Sequence, residues 1–156
     1  MKELLWPRTT RAQDLDEVLD ILVQELKAVR GQGNERLGYV AGIISSDGPD
    51  RIQENLQRLD YYTRRLQSRH DFPLVSATEV FPPELLERLR ASGHGKDQFI
   101  VFWRKVLGSG HVTDIFMTPR WEYSLGAQDE HKVARALGLR FHYVPEIIFE
   151  QDEEEL

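Results

Sequence analysis

The sequence predicts an α/β fold, a flavodoxin/Rossmann-like parallel sheet of about four to five strands with helices on both faces. Two observations carry this expectation. Segments with apolar residues at helical spacing alternate along the chain with short apolar runs bounded by turn residues, the pattern of right-handed strand–helix–strand crossovers. The run LGYVAGII, Leu37 to Ile44, has no polar face and is too short for a stable helix, as expected of a central strand covered on both sides.

The elements follow in order. Asp14 to Val29 keeps Leu15, Val18, Leu19, Leu22 and Leu26 on one stripe and is closed by GQGN, so it reads as a leading helix. After the strand at Leu37, the loop SSDGPD precedes a long helix marked by Ile52, Leu56, Leu59, Thr63 and Leu66, with Pro49 near its first turn. FPLVSA, Phe72 to Ala77, reads as a second strand, and Pro82 to Arg90 as a helix opened by proline. A loop, ASGHGKD, leads to Gln98–Leu107, where Phe99, Phe102, Trp103 and Val106 recur at helical spacing. GSG then introduces a short strand in HVTDIFMT. WEYSLGAQDEHKVARALGL supplies a further helix with Gly138 at its C-cap, and Leu139 to Val144 is a last strand closed by Pro145. The expected organisation is a single domain over 1–150, with a leading helix in 1–36, a core over 37–145 and an acidic, solvated tail at 151–156.

Composition limits the function. A chain of 156 residues with 40% hydrophobic content can bury one core. The net charge of −6 argues against a nucleic-acid polymer or an anionic membrane surface as partner, since both select basic proteins. There is no cysteine, hence no thiolate nucleophile and no cysteine-ligated zinc. The five histidines show no HExxH or HxH spacing, so neither a metal nor another cofactor is expected. No apolar run approaches the ~20 residues of a membrane span and no signal-peptide pattern opens the chain, which leads to the expectation of a cytoplasmic protein.

In an open α/β sheet, ligands bind beyond the carboxyl ends of the strands. SSDGPD and PRWEYSLGA both fall at that edge, so the two loops are expected to face each other. Within the second, Glu130 precedes Val133, Ala134 and Leu137 on their inward stripe, where a carboxylate in the first helical turn is costly unless compensated. Its alternatives are a dipole-favoured acid or a functional carboxylate. Gly42, Ile43, Ser45 and Ser46 either cradle an anion at a helix N-terminus or form an ordinary turn and cap; neither a Walker loop nor a GxGxxG fingerprint is present. Asp114 orients a substrate or bonds a neighbouring turn. Trp121 stacks on a base or packs, and Tyr39 reads as core or as a site residue.

YVAG in the first strand, the aspartate opening a short apolar strand, and the S-L-G-A-x-x-E segment together resemble the nucleoside 2-deoxyribosyltransferase-like superfamily, which includes 2′-deoxynucleoside 5′-phosphate N-hydrolases. The resemblance covers Leu37 to Val144. It implies that Glu130 is the nucleophile at the anomeric carbon, that Tyr39 orients it, and that Asp114 and Ser124 contact substrate, with Gly42, Ile43, Ser45, Ser46, Trp121 and Gly126 in the binding loops. It also implies a small-molecule nucleoside or nucleotide as partner and a homodimer or larger assembly, for which the aromatic segment Phe99 to Trp103 offers apolar surface. Ile43 stands where many relatives have proline, and Arg120 where a glycine often precedes the tryptophan.

Overall fold

The computed structural model of the chain describes residues 1–146. Helices α1 (Lys2–Thr9) and α2 (Leu15–Gly31) precede strand β1 (Gly38–Ala41); α3 (Ile52–Arg69), entered through the 3₁₀ turn Pro49–Arg51, leads to β2 (Leu74–Ser76). Then come α4 (Ala77–Val80), α5 (Pro83–Ala91), α6 (Lys96–Leu107) and β3 (Asp114–Met117), and after the 3₁₀ turn Trp121–Tyr123, α7 (Leu125–Leu137) and β4 (Arg140–Tyr143). The four strands form one all-parallel sheet in the order β2-β1-β3-β4, as the alternating pattern predicts.

Burial differs between the strands. The residues of β1 and β3 in the centre and of β2 at one edge are buried throughout, whereas those of β4 at the other edge are only partly covered. Tyr39, Ile115 and Phe141 lie in one register row and Val40, Phe116 and His142 in the next, and adjacent rows face opposite sides of the sheet. Trp103 of α6 packs on Tyr39 and His131 of α7 on Phe141, which sets α6 and α7 on the first side. His70, which ends α3, packs edge-on against Phe116 on the second. Helices therefore cover both faces.

The leading segment holds two helices rather than one. α2 starts at its cap Asp14, whose carboxylate accepts from the Glu17 backbone N–H at 2.9 Å, and packs against both α1 and α6. α1 contains Pro7 and turns no clear apolar stripe inward, so periodicity does not reveal it. α4 begins at Ala77, the residue with which the expected second strand ended; there the Ser76 N–H donates to the Glu79 carboxylate and closes a capped turn.

Two contacts fix the carboxyl edge of the sheet. The Thr118 hydroxyl donates to the Ala41 carbonyl at 2.7 Å and ties the ends of β1 and β3 together. A Cβ at Gly42 would lie 2.5 Å from that same hydroxyl oxygen, so only glycine lets the two strand ends approach so closely. The acidic 151–156 segment lies outside the described residues. Among the described residues, no helix is long and apolar enough to cross a membrane.

Candidate functional site

The loop ahead of α7 determines where Glu130 points. Ser124 caps the helix by accepting from the Ala127 N–H at 3.1 Å, and the Ser46 hydroxyl, reaching over from the loop after β1, accepts from the Leu125 N–H at 3.0 Å. Because the helix begins at Leu125, Glu130 sits in its second turn and not its first, beyond the reach of the terminal amides that would compensate a first-turn acid. Ala127 and Ala134 flank it on the buried face; their small side chains let α7 lie close to the sheet, while Leu137, expected on the same stripe, is exposed.

Glu130 is 6% exposed. Its Oε1 accepts from the Tyr39 hydroxyl at 3.1 Å, a bond between residues 91 apart in the chain. Its Oε2 is buried and has no partner among the described residues. Burial pushes the Glu130 carboxyl up to about 8, the Tyr39 hydrogen bond opposes this, and the nearby Asp129 adds to it. Burial, reinforced by the Glu130 charge, likewise raises the Tyr39 hydroxyl well above its ordinary value. The Tyr39 ring packs on Trp103 at 4.6 Å between centroids.

This pair lies in the wall of a cavity of about 280 Å³. Residues following three successive strands line it: Gly42, Ile44, Ser45 and Ser46 after β1, Ala77 after β2, and Ser124, Gly126 and Ala127 after β3. The first turns of α3 add Ile52 and Leu56, and Phe81, Phe99 and Trp103 form an aromatic wall. Arg90, His94 and Lys96 come from the connection between α5 and α6. The loop Gly42–Gly48 and the α7 loop thus share one site at the carboxyl edge, as the position of both motifs after strands leads one to expect. A cavity of this size with a polar pair on an apolar lining suits a small molecule.

Three candidates fall elsewhere. Asp114 opens β3 at the amino edge of the sheet, fully buried, where Arg36, the Thr113 hydroxyl (2.6 Å) and His142 (2.7 Å) all bond its carboxylate. Burial raises this carboxyl, but those three hydrogen bonds outweigh it and hold it at about 2, so Asp114 joins Arg36 ahead of β1 to His142 of β4 and does not line the cavity. Ile43 is directed away by strand-like alternation and borders a separate small crevice with Asn55, Tyr62 and Thr118. Trp121 stacks on His131 at 4.5 Å, a packing role. Arg120 takes the left-handed conformation at φ 70°, the only non-glycine residue with positive φ among those described, and its guanidinium lies 4.0 Å from Glu146.

The aromatic wall was partly visible in the sequence. Phe99, Phe102, Trp103 and Val106 share a helical stripe, but the stripe does not say what it covers. Phe102 and Trp103 are buried within the chain, Phe99 is half-buried and Val101 is exposed. Arg90, His94 and Lys96 carry no motif that would have marked them.

Comparison with family models, with curated proteins and with solved structures gave no match to this chain.

Proposed function

We propose that the protein cleaves or transfers the N-glycosidic bond of a nucleoside or nucleotide, with Glu130 as the nucleophile. The observation that carries this reading is a buried glutamate held by a tyrosine through one oxygen, with its second oxygen unpartnered in the wall of a small-molecule cavity. The resemblance of the S-L-G-A-x-x-E segment to nucleoside 2-deoxyribosyltransferases supports it.

The chemistry suits these groups. As the bond from the anomeric carbon to the base nitrogen breaks, the electron pair leaves with the base, which takes a proton, and positive charge develops on the sugar. The Glu130 carboxylate stabilises that charge and then bonds the anomeric carbon, giving a glycosyl ester. Attack on the same carbon by water, which loses a proton, yields free sugar and restores the carboxylate; attack by a second base yields a new nucleoside. Tyr39 fixes the attacking oxygen by hydrogen bonding to its partner. The reaction requires ionised Glu130, so its rate should climb with pH up to about 8.

One observation favours a second reading. A carboxyl raised to about 8 is mostly protonated at neutral pH and can donate a hydrogen bond to a ligand, as in a nucleotide sensor that does no chemistry. Incubation with a panel of nucleosides and nucleotides, followed by chromatography for free base, separates the two. Release that disappears in Glu130→Gln supports catalysis; binding without release supports the sensor. A homodimer or larger belongs to the family-derived part of the proposal, and a monomer by light scattering at micromolar concentration would remove it.

A further inference from the structure

We propose that His94, at the mouth of the Glu130 cavity, is the acid that protonates the departing base and then the group that takes a proton from the incoming water or acceptor. The proposal rests on the functional reading above and supplies what that reading leaves open, the source of the base's proton.

The titratable side chains that line the cavity among the described residues are Tyr39, Arg90, His94, Lys96 and Glu130. Glu130 must be ionised to bond the anomeric carbon, and the Tyr39 hydroxyl is engaged with Glu130. Guanidinium and ammonium groups hold their protons at neutral pH, whereas imidazole is the side chain that gives one up and takes one back there. Among the described residues the lining has no second carboxyl group: Asp97 borders a neighbouring groove with Asp14 and Asp16, and Asp114 opens β3 at the far edge of the sheet.

Two local contacts prepare His94, which is half-buried. Its backbone N–H donates to the Leu89 carbonyl at 3.0 Å as α5 ends, and its Nδ1 lies 3.1 Å from the same oxygen. A carbonyl only accepts, so Nδ1 carries a hydrogen and Nε2 is the nitrogen that gains and loses the exchangeable proton. Nε2 has no partner among the described residues. α6 sets the spacing: Trp103 packs on Tyr39, Phe99 lines the cavity one turn back, and Lys96, the first residue of the helix, is about two turns from Trp103, ~10 Å along the axis. A nucleoside with its sugar at Glu130 and its ring along Phe81, Phe99 and Trp103 therefore extends its outer ring edge toward the imidazole. In the first step Nε2–H passes its proton to a ring nitrogen or exocyclic oxygen of the base as the electron pair of the glycosidic bond leaves with it, and Glu130 bonds the anomeric carbon. In the second, neutral Nε2 takes the proton of the attacking water or base, the electron pair of the ester bond returns to Glu130, and both groups are restored.

The test compares wild type with His94→Asn, whose amide still donates to the Leu89 carbonyl but exchanges no proton, on the panel of nucleosides and nucleotides and on a nitrophenyl deoxyriboside, whose nitrophenolate leaves without a proton. Base release from the panel should fall about 10²-fold or more in the variant, the size of a positioned acid–base group. The first turnover of the nitrophenyl compound should stay within about threefold of wild type, which also reports that the variant is folded. The glycosyl ester should then accumulate, since its hydrolysis lacks a base, and be seen as added mass on the intact protein. The charged groups around the imidazole are Arg90, Lys96 and Glu130 in the cavity and Asp14, Asp16, Asp97 and Lys105 in the groove. With these unchanged, base release from the panel should keep climbing to about pH 8 in the variant, as ionised Glu130 alone requires, and level off earlier in wild type, where His94 must also hold its proton. Equal slowing of both kinds of substrate, no slowing of release from the panel, or coincident pH profiles would each remove His94 from the proton's path and leave the Glu130 reading in place. Wild type that releases base from no member of the panel overturns both readings.

Discussion

The two edges of the sheet each hold a buried carboxyl group, and the contrast between them separates structure from chemistry. Asp114 at the amino edge is fully buried and Glu130 beyond the carboxyl edge is nearly so. Asp114 receives hydrogen bonds from three side chains and stays ionised, held at about 2. Glu130 receives one, has a bare oxygen, and is pushed up to about 8. Desolvation acts on both in the same direction, so the number of donors decides the outcome. Burial of an acid does not by itself mark a site; burial with unmet hydrogen-bonding capacity, facing a cavity, does.

Substitution at the two positions should break the comparison apart if it is wrong. The largest effect expected is on turnover: Glu130→Gln should slow base release at least ~10³-fold, equivalent to ~4 kcal/mol of transition-state stabilisation, with nucleotide binding largely retained. Turnover that persists in this variant takes Glu130 out of the mechanism. Next, Asp114→Ala should cost ~3 kcal/mol of folding stability in urea denaturation while leaving ligand affinity within about twofold. The Asp114 carboxyl is lowered on folding, so its contribution is present above its unfolded value of 3.8 and disappears as pH falls through about 2. The acid-side loss of stability between those values should shrink in the variant.

A smaller effect sharpens the contrast from the other side. Glu130 is raised on folding, from 4.5 to about 8, so its protonated form favours the native state below pH 4.5 and that benefit drains away as pH climbs through about 8. Glu130→Gln carries no such penalty. Wild type and variant should be similar in stability near pH 4.5, and the variant should be more stable by ~2 kcal/mol or more at pH 9. A stability gap that stays flat over this range would show that the carboxyl is not held neutral. The smallest effect concerns the loop leading into α7. Arg120→Gly relieves a left-handed φ but frees the unfolded chain, for a net gain of no more than ~1 kcal/mol in thermal melts. Destabilisation there would mean that the contact with Glu146 matters more than the backbone.

Much of this architecture is legible in the sequence because it rests on periodicity. The stripe Leu15, Val18, Leu22 and Leu26 marks α2, the apolar run at Leu37 marks β1, and Gly138 marks the end of α7, all local signals. Glu130 stands out for the same reason, as a charge on an apolar stripe, although the true start of its helix at Leu125 moves it one turn inward of the expected position. Asp114 misleads because its donors, at positions 36, 113 and 142, converge only through the sheet register, which no local pattern encodes. α1 hides behind Pro7, and α4, at four residues, is too short to show a period. The cavity mouth is illegible for a third reason: exposed cations such as Arg90 and Lys96 look the same in sequence whether they are solvated or face a site.

The all-parallel register also governs the order in which the chain can fold. With no hairpin, every strand pair must wait for a crossover to close, and loop closure is what slows such topologies. The shortest closure joins β3 to β4 through α7, bringing Asp114 beside Arg140; the longest joins β1 to β3, bringing Gly38 beside Asp114 across α3, β2 and the helices that follow. Glu130 travels with the early unit and Tyr39 with the late one. Their hydrogen bond is therefore expected among the last contacts to form, so that its appearance in a refolding experiment would report completion of the sheet; its appearance before β1 pairs with β3 would contradict this order.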